Sequence, residues 1–398
     1  MSAATALRAA ARGTIGAVGA IEGVGSARAS VAAARGAVAA ACGTGVAPSA
    51  SAPRRLAASG GAEAARGASI RPKEAAKFAG FSDEWWDPSG PFAPLHAFNP
   101  IRAEFLARSI CDRYGREFSA AGAPLAGLRV LDVGCGGGIL AHTLAQWGAS
   151  VVGVDVNAGG IEAARRRAAR VAEGRARDLS GAPVPPFPGE APTFRVATVE
   201  TIAAEIAEGA GDKEFGAAGA SDGAGEPGAA GAGGGGKEPG AAGAGAGGAA
   251  FGGFHAVIAS EVIEHVSSPP SFADALADSA LPGGVVLVTT MNRTPEAYAL
   301  CIVAAEKVLR WVPEGTHDWK LFWTPEELCT LFERGAGLKA WQAAGFAYDP
   351  LKKTWSMGED LSVNYGVAFA KASEGAEGKE GAEAAQAAEG GDPGRTQP

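Results

Sequence analysis

The sequence has little that would tie it together covalently or draw it to a polyanion. Its five cysteines, Cys42, Cys111, Cys135, Cys301 and Cys329, are odd in number, widely scattered and never in a Cys-x-x-Cys pair. That excludes a disulfide framework and a structural zinc site as the basis of the fold. Acids outnumber bases, 43 to 35, and the net charge of −8 argues against the basic face of a nucleic-acid enzyme. No run of about 18 uninterrupted apolar residues occurs, so no segment reads as a membrane-spanning helix. Residues 1–70 contain no lysine and only two acids, Glu22 and Glu63. They lack the compact apolar stretch of a secretory signal, because Arg12 and several glycines interrupt Ala9 to Ile21.

What the first 70 residues do contain is arginine, at positions 8, 12, 28, 35, 54, 55 and 66, among alanine, glycine, serine and valine. This composition reads as an organelle transit peptide, or as an Ala/Gly extension that carries no address. The 60 glycines of the chain are concentrated where no core can form. Residues 207–253 are nearly all glycine and alanine, a composition that cannot offset the entropy of ordering. They read as a flexible insertion into a domain spanning 71–371. Long loops add little closure entropy, so the strand before the insertion and the one after it, Ala256 to Ser260, are expected to be near neighbours. Residues 372–398 form an acidic, apolar-poor tail expected to be disordered.

Between these segments strands and helices alternate. Apolar runs predict strands near 129–133, 150–154, 193–197, 255–260 and 284–290, and 338–347 with 363–370 predict a closing antiparallel hairpin. The fold class is therefore α/β, a Rossmann-like, mostly parallel sheet with helices on both faces. Ligands are expected at the carboxyl ends of its strands.

The first strand, Val130 to Val133, runs into the glycine turn Gly134-Cys135-Gly136-Gly137-Gly138, and a helix follows from Ile139. Glycine there supplies positive φ or lets a ligand lie against bare backbone, with helix N-terminal amides facing it. A dinucleotide fingerprint, Gly-x-Gly-x-x-Gly, would need its third glycine at Ile139. The observed spacing, Gly134, Gly136 and Gly138, resembles instead the S-adenosylmethionine turn of class I methyltransferases. Asp155 lies 21 positions beyond Gly134, where a carboxylate would accept from both ribose hydroxyls. Its alternative role is to cap the next helix.

A second constellation is Ala-Ser-Glu-Val-Ile-Glu-His-Val at 259–266. If a helix begins there, Glu261 and His265 are one turn apart with Glu264 alongside. Two carboxylates and an imidazole suit a hard divalent ion such as magnesium, which would lower the pKa of a bound hydroxyl. The alternatives are carboxylates that favour a helix N-terminus and His265 as a metal-free general base. His96 and His317 are further candidates to line the site or to order a loop.

Several segments together resemble the ubiquinone-biosynthesis O-methyltransferases. They are Trp85-Trp86-Asp87-Pro88, Gly90-Pro91-Phe92-Ala93-Pro94-Leu95-His96, Asn99-Pro100-Ile101-Arg102, the glycine turn, Ser260 to Val266, Thr290-Met291-Asn292-Arg293, Val312 to Trp319, and Val363-Asn364-Tyr365. The resemblance covers most of 80–370 and leaves out leader, insertion and tail. It implies the class I S-adenosylmethionine-dependent methyltransferase fold, with cofactor contacts at Arg102, Gly134, Asp155 and Ser260. It implies a magnesium site on Glu261, Glu264 and His265, with Glu261 and His265 preparing the nucleophile. The implied reactions methylate ring hydroxyls of 3,4-dihydroxy-5-polyprenylbenzoate and of demethylubiquinol. The glycine turn thus speaks for the methyl donor, while Trp85-Trp86-Asp87 and the Glu261, Glu264, His265 cluster speak for the acceptor.

The polyprenylated substrate directs attention to Ala297 to Val312, where Tyr298, Leu300, Ile302, Val303, Leu309 and Trp311 are joined by Lys307 and Arg310. The pattern suits a helix lying at a membrane interface or one packed on its own core. The resemblance implies the first: peripheral attachment at the matrix face of the mitochondrial inner membrane, within a multi-subunit coenzyme Q synthesis complex. Two other functions fit the same residues, a class I methyltransferase acting on a soluble phenol and a non-catalytic subunit that keeps the fold.

Overall fold

The computed structural model describes residues 84–87, 89–209, 252–308 and 315–373. The leader 1–70, nearly all of the 207–253 insertion, most of the tail, and Leu309, Arg310, Trp311 and Val312 lie outside the described residues. The first half of the domain runs α1 (Ala93–Arg113), β1 (Arg129–Val133), α2 (Ile139–Gln146), β2 (Ser150–Asp155), α3 (Ala158–Ala172), β3 (Thr193–Val196) and α4 (Val199–Ala207). The second half runs β4 (Phe254–Ser260), α5 (Pro269–Ser279), β5 (Ala280–Met291), α6 (Pro295–Ala297) continued by a wider-turned helix Tyr298–Val308, α7 (Pro325–Thr330), β6 (Lys339–Asp349), β7 (Thr354–Gly358) and β8 (Asn364–Ala370).

The strands join in one sheet of order β3-β2-β1-β4-β5-β8-β6-β7. The first five are parallel and the last three antiparallel, the expected class I architecture. Alternation along the central strands divides the core into two layers. Leu131, Val257 and Val286 face α4 and α5, and Val130, Ile258 and Leu287 face α1 and α2. Each such fully buried aliphatic contributes about 1.5–3 kcal/mol, and burial from both sides is why these strands read as continuous apolar runs.

Three expectations change. β3 and β4 are not neighbours, since β2 and β1 lie between them; the chain leaves β3 at the sheet edge, forms α4 and crosses back to start the other half. The closing pair, β6 and β8, is antiparallel as expected, but β7 intervenes in sequence and pairs with the outer edge of β6. Its alternating exposure is that of an edge strand with one wet face, too polar to announce itself as core. Cys329 is disulfide-bonded, whereas Cys111, Cys135 and Cys301 are free thiols.

The reversal of strand order at β1 and β4 places a crevice outside their carboxyl ends, where ligands bind in such sheets. α1 crosses it. Its buried positions, among them His96, Asn99, Ala103, Leu106 and Ile110, recur at helical spacing, and Arg102 lies on the same face.

Candidate active site

One end of the site is built from backbone. The β1–β2 pairing sets Asp155, last in β2, beside the turn that follows β1. Gly134 and Cys135 donate their N–H groups to the Val154 carbonyl at 2.8 and 3.1 Å, and Asp155 accepts from the N–H of Gly136 at 2.8 Å and of Asn157 at 2.7 Å. Gly136 has φ 53° and a β-carbon there would strike the Trp85 ring; Gly138 has φ 80° and its β-carbon would lie 2.9 Å from Ala164 Cβ. Glycine is required at both for conformation and for space. Asp155 is not the cap of α3; Asn157 is, accepting from Gly159 N–H. Burial pushes the Asp155 carboxyl up, and the amide hydrogen bonds oppose that rise.

Trp85 and Trp86, expected to mark the acceptor, pack at this same end. The Trp85 ring lies over Gly136 and Gly137 and stacks on Phe92 with centroids 3.7 Å apart. Trp86 Nε1 donates to the Gly137 carbonyl at 2.9 Å. His96 Nε2 lies 2.8 Å from the Trp85 carbonyl, so it orders this segment instead of facing the other end.

Arg102 joins the two ends. Buried in α1, it donates from Nε to Asn99 Oδ1 at 3.1 Å and from Nη1 to Ser260 Oγ at 3.1 Å. Ser260 Oγ lies 2.7 Å from Thr289 Oγ1, which donates to Glu261 Oε1 at 2.8 Å. Because the arginine only donates and Thr289 gives its hydrogen to the carboxylate, Ser260 must donate to Thr289. The Ser260 hydroxyl thus links Arg102 to Thr289. Asp132 was no more than a strand-end residue in the sequence, yet it is buried beside this chain with Oδ2 lacking a hydrogen-bond partner. Burial raises its carboxyl to about 7, against the pull of the Arg102 guanidinium. An acid set inside Val130-Leu131-Asp132-Val133 was the signal available for it.

The far end departs from the expected helix. Glu261 has φ 58° and donates its N–H to the Thr289 carbonyl at 2.9 Å. Only a single 3₁₀ turn, Ile263–His265, follows. With no α-helix over 261–265, the one-turn spacing of Glu261 and His265 does not arise. Glu264 accepts from Thr290 Oγ1 at 2.9 Å while its Oε1 is buried without a partner. Both carboxyls are pushed up, Glu261 by burial and then by repulsion from Glu264, and Glu264 by burial. Among the described residues no three His, Cys, Asp or Glu side chains are gathered to hold a metal ion.

Glu264 and His265 line a small recess with Thr316, His317, Asp318, Leu321 and Phe322. His317 is thus brought to the site, as His96 is not. Behind it lies buried Glu306, which belongs to no motif or spacing that would select it.

A methyltransferase-domain family model matches residues 102–351. The ubiquinone biosynthesis O-methyltransferase of Dinoroseobacter shibae is 37% identical over 74% of this chain and 94% of its own length. That of Caulobacter vibrioides is 36% identical over 78% and 98%, and the mitochondrial enzyme of Arabidopsis thaliana 34% over 75% and 73%. The chain belongs to the ubiquinone biosynthesis O-methyltransferase family. A solved structure, the magnesium protoporphyrin IX methyltransferase of Synechocystis with bound S-adenosylhomocysteine, is 14% identical and covers 75% of this chain and all of its own, with a TM-score of 0.41. In this family member the four residues expected to contact the cofactor sit around the β1–β4 crevice: Gly134 and Ser260 follow paired strand ends, Asp155 backs the turn, and Arg102 reaches in from α1.

Proposed function

We propose that this chain transfers the methyl group of S-adenosylmethionine to ring hydroxyls of polyprenylated phenols, 3,4-dihydroxy-5-polyprenylbenzoate and demethylubiquinol. The observation that carries the reading is the continuous chain from Arg102 through Ser260 and Thr289 to Glu261. It runs from α1 across the carboxyl end of β4 to Glu261, whose buried carboxyl is repelled by that of Glu264. Arg102, Gly134, Asp155 and Ser260 hold the cofactor, with Asp155 facing the ribose. The sulfonium methyl is already electrophilic, so the protein must chiefly align an aryl oxygen behind it. Such alignment is worth as much as about 7–11 kcal/mol.

Glu261 and Glu264 suit a magnesium ion. The partnerless Glu264 Oε1 and the mutual repulsion of the two carboxyls are what a cation would relieve, and oxygen donors match a hard ion. His265, at the end of the 3₁₀ turn, lines the recess beside Glu264 and is not gathered with both carboxyls as a third ligand. When bound, the ion lowers the pKa of the acceptor hydroxyl. Glu261 and Glu264 orient that hydroxyl toward the methyl group.

We place the protein in the mitochondrion, at the matrix face of the inner membrane. The arginine-rich, acid-poor leader and the mitochondrial plant relative support the compartment. For peripheral attachment the support is the Tyr298–Val308 helix. Tyr298, Leu300 and Val303 are three of the five exposed large hydrophobics among the described residues, and no described helix is long and apolar enough to cross a membrane. Residence in a multi-subunit coenzyme Q synthesis complex follows as part of the same reading. The test is methyl transfer to prenylated catechol and demethylubiquinol with and without magnesium. Activity confined to water-soluble catechols would overturn the substrate assignment, and full activity in chelator would overturn the role of the metal. Vesicle flotation checks attachment: Leu300→Glu is expected to reduce it several-fold, and unchanged flotation would remove the helix from the membrane.

A further inference from the structure

Glu306 is an acid with 2% of its side chain exposed, on a helix whose outer face is apolar. Burying a carboxylate is expensive unless its oxygens are paired, and here they are. Oε2 accepts from Gly315 N–H at 2.8 Å, and Oε1 accepts from His317 N–H at 2.8 Å and from the His317 ring at Nδ1, also 2.8 Å. A carboxyl is the stronger acid of such a pair, so the hydrogen shared between Oε1 and Nδ1 is assigned to nitrogen. The neutral imidazole then has Nε2 as its basic atom, on the ring edge away from Glu306. The ring lines the recess that also holds Glu264 and His265, at the carboxyl end of β4.

We infer that His317 is the group that takes the proton from the acceptor hydroxyl, and that Glu306 is its positioning residue. This rests on the methyl-transfer reading above. As the aryl oxygen forms its bond to the methyl carbon, the carbon–sulfur bond breaks and its electron pair stays on sulfur, giving the neutral thioether. Nε2 receives the hydroxyl proton and later returns it to water, so charge and atoms balance. Glu306 fixes the tautomer and the ring direction, and it stabilises the imidazolium while the proton is held. The pair also ties the Tyr298–Val308 helix to the loop carrying His317, so placement of that helix sets the base.

The experiment measures steady-state methyl transfer from S-adenosylmethionine to a prenylated catechol, with calorimetric cofactor binding and thermal melting on the same preparations. Glu306→Gln, His317→Ala and His317→Asn are compared with the unaltered full chain. The asparagine amide replaces the Nδ1 donor toward Glu306, keeping the loop tied, while Nε2 is lost. Both His317 variants are expected to lower kcat by about a hundred-fold or more, with cofactor Kd within about twofold of the unaltered chain. The double variant Glu306→Gln/His317→Asn is expected to be no slower than His317→Asn alone, as for residues acting as a unit. Recovery of kcat by His317→Asn to within about threefold would reduce the pair to a loop anchor and overturn the inference. Should Glu306→Gln fail to fold, His317→Asn with intact cofactor binding decides alone. An unaltered chain that binds cofactor but never methylates the catechol overturns the underlying reading, and the inference falls with it.

Discussion

The donor end of the site draws Gly134, Gly136 and Asp155 from one strand–helix–strand unit, and its hydrogen bonds are made largely by main-chain amides. The acceptor end draws Glu261 and Glu264 from beyond β4, Thr289 and Thr290 from β5, and His317 from a loop held by Glu306. One end is local and rests on backbone geometry; the other is assembled from side chains brought together by packing. A turn whose glycines are sterically required tolerates little change, whereas an assembled cluster can lose one partner and keep the rest. Arg102, Ser260 and Thr289 are where the two designs meet.

The largest effect is expected where the backbone itself loses its partner. Asp155→Ala removes the proposed ribose acceptor and strands the N–H groups of Gly136 and Asn157, each charged hydrogen bond being worth about 1.5–3 kcal/mol. Cofactor Kd measured by calorimetry should rise at least about a hundred-fold; a change below threefold would show that the local design does not depend on this carboxylate. Next comes Glu264→Gln, expected to lower kcat about a hundred-fold while leaving cofactor Kd unchanged. A parallel loss of cofactor binding would mean the two ends are not separable. Thr289→Val sharpens the comparison, because its hydroxyl serves both ends. Two hydrogen bonds are lost, one toward each end, and at about 1 kcal/mol apiece they should weaken cofactor binding and slow turnover by roughly fivefold each.

The smallest effect is a pH dependence of stability at the junction. With the Asp132 carboxyl raised from 3.8 to about 7, the unfolded chain loses this proton first as pH rises. The group's contribution to stability is therefore greatest below about 4 and declines until the pH passes about 7. Asp132→Asn removes that decline. The difference in Tm, variant minus unaltered chain, should become more positive between pH 5 and pH 8. A difference independent of pH would show that Arg102 already neutralises Asp132.

Legibility followed the same division. The parallel strands were readable because each is apolar on both faces, and the glycine turn because its spacing is a short-range property. α1 went unread as a helix: its buried face includes His96, Asn99 and Arg102, polar residues that blur the hydrophobic period. β7 went unread because an edge strand needs only half its side chains to be apolar. Trp85 and Trp86 are legible as a signature, but nothing in their spacing says that they fold back onto Gly136 and Gly137. Glu306 and His317 are distant from β4 in sequence, and no periodicity links them to it.

By itself the sequence determined the alternation of strands and helices, the glycine turn with Asp155 at its proper distance, and the resemblance that the relatives bear out. These follow from composition and short-range spacing, which act along the chain. The tertiary structure alone decided that Glu261 is left-handed, that Arg102 reaches Glu261 through Ser260 and Thr289, and that a buried acid stands behind His317. Those facts depend on which strands become neighbours and which charges are removed from water together, and burial is a property of the packed molecule.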